Sequence, residues 1–448
     1  MIDKAAHWAA FSFIQDWEDV NCPPMTAYQF SENFAREMDA QDALASFRNE
    51  FHIPNIHGKE SIYLTGNSLG LLPKTARSYV EQEFLDWQNF GVEGHTEAKN
   101  PWLYYHHFLT KQVATIVGAR EKEVVVMNNL TANLHLMLVS FYRPNAQRYK
   151  MIIEGGAFPS DQYAVDSQAK FHGFDPKEAI IELKPRDGEH ILRTEDILAT
   201  IETHKDSLAL VMLGGVNYYT GQVYEMEKIT QAAHAADAFC GFDLAHGAGN
   251  YPVKLHDWDV DFAVWCSYKY LNSGPGGTSG VFVHEKHGNN PDIPRFAGWW
   301  GHNEKERFLM KREFMPTEGA QGWQLSNAQI FPMAIHKASL DIFERAGFDQ
   351  LRAKSIQLTG YLEFVLNSLT ETSQLDFEVI TPSDPNQRGC QLSVLVKSQG
   401  KALYDYLKAR SIIVDWREPN VIRMAPVPLY NRYLDIYELG KSIQAFGS

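Results

Sequence analysis

Short apolar runs alternating with longer stretches of helical periodicity organise the middle of this chain. Glu123 to Met127, Lys150 to Ile153, Leu208 to Leu213, Cys240 to Asp243, Phe262 to Cys266 and Gly280 to Val283 are brief and almost wholly apolar. Runs of that kind are buried on both faces, as strands are when helices cover both sides of a sheet. The alternation predicts a large α/β domain with a mostly parallel sheet over residues 61–325. Past residue 326, a helical stretch leads to the strand patterns Gln391 to Val396, Ile412 to Val414 and Val421 to Met424, which predict a smaller α+β domain over 326–448. Residues 1–60 read as a largely helical segment packing on that smaller domain, with Trp8 to Trp17 apolar enough to lie against another surface. There is no internal repeat and no low-complexity linker.

Composition narrows the class of molecule. A chain of 448 residues with 44% hydrophobic content can build two cores. Its formal net charge of −14 argues against nucleic acid or an anionic membrane as partner, because both need basic patches, and a small metabolite fits better. Cys22, Cys240, Cys266 and Cys390 lie far apart, without the close pairs of a zinc site or the density of a disulfide scaffold, so no metal is expected and the thiols read as reduced. The start, Met1-Ile2-Asp3-Lys4 with Asp16, Glu18 and Asp19 following, lacks the order of a signal peptide. No apolar run reaches the roughly 18 residues of a membrane span. A soluble, cytoplasmic protein is expected.

The chemistry concentrates between Gly241 and Gly280. One apolar strand ends in Asp243, a small-residue turn carries His246, and the next strand delivers Tyr268-Lys269-Tyr270. Two successive strands ending in an acid and an amine place both where open α/β sheets bind ligands, at the strand carboxyl ends. A lysine for a Schiff base and an acid that keeps a pyridine nitrogen protonated are what pyridoxal 5′-phosphate (PLP) requires. Lys269 and Asp243 fit those roles, although singly each has a plain alternative as a surface charge or a turn former. After Met127, the turn Asn128-Asn129-Leu130-Thr131 opens an amphipathic helix whose N–H groups suit a phosphate. Thr131 reads equally as phosphate ligand or helix cap. Phe158 in Phe158-Pro159-Ser160-Asp161 could stack on the cofactor ring while Asp161 binds a polar edge, or the two could be a core residue and a turn residue.

A series of motifs in order from residue 60 to 431 resembles kynureninase. It comprises Leu64-Thr65-Gly66-Asn67-Ser68-Leu69-Gly70, Gly94-His95, Phe158-Pro159-Ser160-Asp161, Tyr219-Thr220-Gly221-Gln222, Gly241-Phe242-Asp243-Leu244-Ala245-His246, Trp265 to Asn272, Gly298-Trp299-Trp300-Gly301-His302 and Arg423 to Asn431. The resemblance implies the aspartate-aminotransferase-like fold (fold type I), with a mostly parallel seven-stranded sheet, PLP bound as a Schiff base on Lys269, and a homodimer whose active sites are shared between subunits. It implies that Asp243 partners the pyridine nitrogen, that Phe158 stacks on the ring, and that Leu130, Thr131, Asp161, His246 and Tyr268 are further cofactor contacts. Trp299 and Asn327 match positions that reach in from the neighbouring subunit. Ser68 and His95 resemble substrate-pocket residues, and Arg423 a partner of the substrate α-carboxylate, a task suited to a permanently charged fork. One departure stands at Gly214, where some relatives carry a serine that contacts the cofactor.

The activity implied is hydrolytic cleavage of the Cβ–Cγ bond of kynurenines to L-alanine and an anthranilate, serving tryptophan catabolism or NAD biosynthesis. Lys269 would move the Cα proton, and Tyr268, expected to be acidified near the phosphate, would supply a proton to the carbon fragment. His95 and Asn327 point towards 3-hydroxykynurenine as the favoured substrate. Two other classes are open. A cysteine desulfurase-like lyase would need a reactive thiol on a mobile loop, whereas Cys390 precedes a strand and reads as core. A non-catalytic relative of the same fold could dispense with Lys269 or Asp243, both of which are present.

Overall fold

The structure, a computed structural model, describes residues 28–370 and 374–447, so the Trp8 to Trp17 stretch lies outside the described residues. Its centre is a seven-stranded sheet built from β1 (Val124–Met127), β2 (Lys150–Glu154), β3 (Ile180–Leu183), β4 (Leu208–Gly214), β5 (Phe239–Asp243), β6 (Phe262–Cys266) and β7 (Ser279–Val283). The spatial order is β1-β7-β6-β5-β4-β2-β3. Only β7 runs against its neighbours; β3, β2, β4, β5 and β6 are parallel to one another. Every residue of β1, β4, β6 and β7 is buried, which is why those stretches read as continuous apolar runs rather than alternating ones. Strand β3 went unread because its pattern, Ile-Ile-Glu-Leu, is only partly buried at the sheet edge.

A second sheet of four antiparallel strands, ordered Phe377–Val379, Leu392–Val396, Val421–Met424 and Asp415–Arg417, packs with the helices Phe348–Thr370 and Tyr433–Phe446 around a separate apolar core. The expected strand Ile412 to Val414 behaves differently: Ile412–Ile413 pairs in parallel with Ile62–Tyr63, outside this sheet. Helix Ile330–Ala346 turns Met333, Ala334, Leu340 and Phe343 into the core that also buries β4 to β6.

The described part of the N-terminal segment is only partly helical. Glu32–Gln41 is a helix that docks against Tyr433–Phe446, where Asp39 accepts hydrogen bonds from the N–H groups of Tyr433 (2.7 Å) and Leu434 (3.2 Å). After the 3₁₀ turn Ala45–Glu50, residues 51–60 are extended. The cause is local: His57 and Gly58 have φ of 53° and 78°, the pair of positive angles that closes a two-residue hairpin between Asn55–Ile56 and Lys59–Glu60.

The two strands that carry Asp243 and Lys269 are fastened at their opposite ends by another acid. Asp261, immediately before β6, accepts from the N–H of Cys240 in β5 (2.7 Å), His234 Nε2 (2.9 Å) and His287 Nε2 (2.7 Å), with Lys286 Nζ at 3.0 Å. Burial works to raise its pKa, but the two histidines and Lys286 outweigh that and hold the carboxyl below its usual range. A group whose folded pKa is depressed adds stability above its unfolded pKa and loses it as the solution is acidified. Asp261→Asn should therefore cost about 3 kcal/mol at neutral pH, read from urea midpoints. The gap to the parent should narrow as the pH falls below 4, near the ordinary value for a free aspartate.

Candidate active site

The carboxyl ends of β1, β2, β4, β5 and β6 open onto one cavity of about 390 Å³. On its first side, helix Leu130–Phe141 begins at Asn129, whose side chain caps it by accepting from the N–H of Ala132 (3.3 Å). The cap is thus Asn129, and Thr131 is left exposed in the first turn, on the cavity wall beside Leu130. A capped helix start with a free hydroxyl and unpaired N–H groups suits an anion.

Phe158 is no core residue. It is 42% exposed at the start of helix Pro159–Phe171, with Tyr218 edge-on at 5.3 Å and Lys269 Nζ 5.8 Å from its ring centroid. Across the cavity, Asp243 ends β5 and accepts from the N–H of Ala245 (2.7 Å). Asp161, one turn into the helix behind Phe158, is buried beside it. Burial raises both acids, and Lys269 pulls both the other way. Asp161, which also meets the charges of Asp243 and Glu154, is raised further and is the member of the pair that keeps a proton.

His246 stands on the same wall. Burial, and then the nearby charges of Lys269 and Arg423, push its pKa well down, so its imidazole is neutral. Its Nδ1 is buried and has no hydrogen-bond partner among the described residues. Tyr268 corrects the expectation of an acidified phenol: burial, with Cys266 and Asp243 facing it, raises its pKa, so the hydroxyl stays protonated. That is still the form a proton donor needs.

Ser68 is not on the cavity wall, but its turn is pressed against the lysine loop. Gly70 N–H donates to Tyr268 O (2.8 Å) and Leu71 N–H to Asn272 Oδ1 (3.1 Å), and a Cβ on Gly70 would sit 2.3 Å from Lys269 O. Only glycine allows that approach. His95 also lies off the wall, its Nδ1 2.8 Å from Val92 O and its ring edge-on to Trp102. Trp299, 45% exposed, and Asn327, also exposed, lie outside the cavity of their own chain. Arg423 is 1% exposed, paired with Asp415, and donates through Nη1 to Tyr218 O (2.7 Å). It thus stands behind a residue of the wall, with its Nε unpartnered among the described residues.

Sequence reasoning missed Glu154 and Tyr218, both on the wall. Glu154 ends an apolar run just as Asp243 does, and reading one residue past Ile153 would have found it. At Gly214 the N–H donates to both oxygens of Glu154 (3.1 and 3.0 Å), and a Cβ there would lie 2.8 Å from Oε1. The side-chain space left open at position 214 is filled by that carboxyl.

The chain as a whole has similar relatives. A kynureninase from Myxococcus xanthus is 55% identical over 422 residues, covering 94% of this chain and 98% of the relative. One from Flavobacterium johnsoniae is 52% identical over 417 residues, covering 93% and 98%. The chain belongs to the kynureninase family. The family model described as "Kynureninase C-terminal domain" matches residues 351–443, which hold Arg388, Asp415 and Arg423. Among solved structures, a cysteine desulfurase from Thermococcus onnurineus NA1 superposes with a TM-score of 0.70 at 18% identity, covering 87% of this chain and 95% of that one. At that identity the likeness speaks to the fold alone, and it bears out the expected fold type.

The exposed thiol that a cysteine desulfurase-like lyase would need is not found among the described residues. Cys240, Cys266 and Cys390 are buried, and burial pushes the Cys390 thiol up to about 12. In a Cys22→Ala background, native protein at pH 8 should release almost no chromophore from Ellman's reagent in minutes, and all three thiols should react in urea.

Proposed function

We propose that this chain hydrolyses the Cβ–Cγ bond of L-kynurenine and 3-hydroxy-L-kynurenine, with PLP held on Lys269. Water is consumed, and L-alanine and anthranilate or 3-hydroxyanthranilate are released. The observation that carries this reading is the convergence of Lys269, Asp243, Phe158 and the capped helix start at Thr131 on one cavity, in a chain of the kynureninase family. The donor set fits the cofactor: a helix N-terminus and a free hydroxyl for its phosphate, an aromatic face for its ring, an acid for its nitrogen and an amine for its aldehyde. When bound, PLP supplies an electrophilic carbon for the substrate amine and a sink for the electrons left at Cα.

The chain's own residues do the rest. Lys269, the amine that would hold the cofactor, would also serve as the base that takes the Cα proton. Asp243 holds the proton on the ring nitrogen, and the proton kept on Asp161 spares the pair from repelling each other. Arg423 takes the substrate carboxylate, already oriented by Asp415 and Tyr218 O. Tyr268, protonated at neutral pH, donates to Cβ of the alanine fragment left behind when the aromatic fragment departs. Leu130 and His246 complete the cofactor contacts, and Ser68 and His95 the substrate pocket.

Trp299 and Asn327 fit a homodimer in which each subunit completes its neighbour's site, because both are exposed and turned out of their own cavity. We assign His95 and Asn327 to a ring hydroxyl, and with it a preference for 3-hydroxykynurenine. A cytoplasmic enzyme of tryptophan catabolism or NAD biosynthesis fits this chemistry, and no helix among the described residues is long and apolar enough to cross a membrane. The working division is an N-terminal segment to residue 60, a cofactor domain over 61–325 and a smaller domain over 326–448, with Ile62–Tyr63 and Ile330–Ala346 bridging the two.

Incubation with either kynurenine should yield equimolar alanine and aromatic product, and Lys269→Ala should lower the rate at least 1,000-fold, on the order expected for a lost covalent anchor and base. Replacing His95 and Asn327 with apolar residues should lower the ratio of kcat/KM for the 3-hydroxy substrate over the parent compound by roughly tenfold, the worth of one hydrogen bond. An unchanged ratio would remove the assigned preference.

A further inference from the structure

Glu154 is a buried acid whose role the proposed chemistry leaves open. It is 4% exposed at the end of β2, and among the described residues no lysine, arginine or histidine pairs with it. Its two oxygens share the single N–H of Gly214, the residue that faces Asp243 across the β4–β5 register. Gly215 N–H then donates to Asp243 O (2.8 Å), so one short stretch of backbone joins the two acids. Glu154, Asp161 and Asp243 thus line one wall of the cavity, and the cation acting on the two aspartates is Lys269. Three desolvated carboxyls cannot all be charged beside one amine.

We propose that Glu154 is a positioning residue: seated in the space that Gly214 leaves open, it acts through Asp243 as the third acid of the cluster, and its charge tunes how firmly the cofactor's ring nitrogen holds its proton. The inference rests on the functional reading above. The groups that face Glu154 are Gly214 N–H from β4, Asp243 from β5, Asp161 from helix Pro159–Phe171, and Tyr224, whose phenol its charge pushes upward. Burial, opposed by the Gly214 N–H and reinforced by Asp243, raises the Glu154 carboxyl to about 7. With a folded pKa above the ordinary carboxylate value, it carries a proton in mild acid and becomes charged as the pH rises through neutrality. Its negative charge then favours the protonated ring.

Glu154→Gln keeps the shape and an oxygen for Gly214 N–H but removes the titration. The test uses PLP-loaded protein without substrate, following cofactor absorbance against pH and the shift of a ¹⁵N-labelled ring nitrogen. The parent should show a transition near neutrality that the variant lacks. Above pH 8 the variant should bind PLP at least threefold more weakly, a displacement of about half a pKa unit, while below pH 6 the two proteins coincide. Coincident curves at every pH would overturn the proposal and leave Glu154 a mere filler. If Glu154→Gln retains no cofactor, Gly214→Ala, which displaces the carboxyl without removing its charge, carries the test: a moved transition supports the proposal and an unmoved one overturns it. None of these readouts depends on turnover, so a parent that binds PLP on Lys269 yet leaves kynurenines intact would sink the functional reading alone.

Discussion

Taking carboxyl groups out of water at the end of a parallel sheet is the constraint on which the rest of this structure turns. An ionised acid in a dry site is costly unless it finds a proton, an N–H donor or a cation. Each remedy appears here. Asp243 has the N–H of Ala245 and the nearby Lys269, Asp161 keeps a proton, and Glu154 has the N–H of Gly214. The end of β4, the turn after β5 and the lysine loop each supply one of those partners.

Such a cluster holds its geometry only on a stiff frame. The strands beneath it are buried on both faces, and glycines let large rings lie flat on the sheet. A Cβ at Gly241 would fall 2.1 Å from the Phe262 ring, and one at Gly280 the same distance from Trp265. At the far end of β5 and β6, Asp261 gathers two histidines, Lys286 and a backbone N–H, so the strands bearing Asp243 and Lys269 are fixed at both ends. The contrast between the acids is instructive. Asp261 is met by donors from two histidines and a backbone N–H and by the Lys286 ammonium, which hold it ionised, whereas the acids at the cavity are short of such partners and biased towards protonation. One sheet thereby has a structural end and a chemical end.

Two remote segments back the cavity wall by docking rather than by proximity in sequence. The Ser68 to Leu71 turn lies on the lysine loop through Gly70 and Asn272, which restrains Lys269 from behind. The smaller domain contributes Arg423, whose charge is held by Asp415 and whose Nη1 meets the carbonyl of Tyr218. Because Tyr218 also packs on Phe158, Arg423 and Phe158 share one neighbour.

Six of the seven strands of the large sheet, the acid ending β5, the lysine following β6 and the helix opened at Asn129 were legible in the sequence, because unbroken apolar runs and the residues at their ends are local properties. The motif series carried the family as well. What escaped was nonlocal. Strand β3 is half exposed at an edge, so its pattern is weak. Ile412–Ile413 looked like any other apolar pair, and only its partner Ile62–Tyr63 shows that it lies outside the small sheet. Thr131 could not be told from a cap until Asn129 was seen to fill that place. The direction of the Tyr268 shift depended on its burial and then on the groups that face it. The sequence by itself determined the α/β class and pointed to the cofactor, and it marked Asp243 and Lys269 at the ends of neighbouring strands. Only the tertiary structure decided which acids share a proton, that Glu154 occupies the space at Gly214, and which residues turn away from their own cavity. Those outcomes depend on burial and on neighbours far apart in the chain, and a protonation state has no local signature.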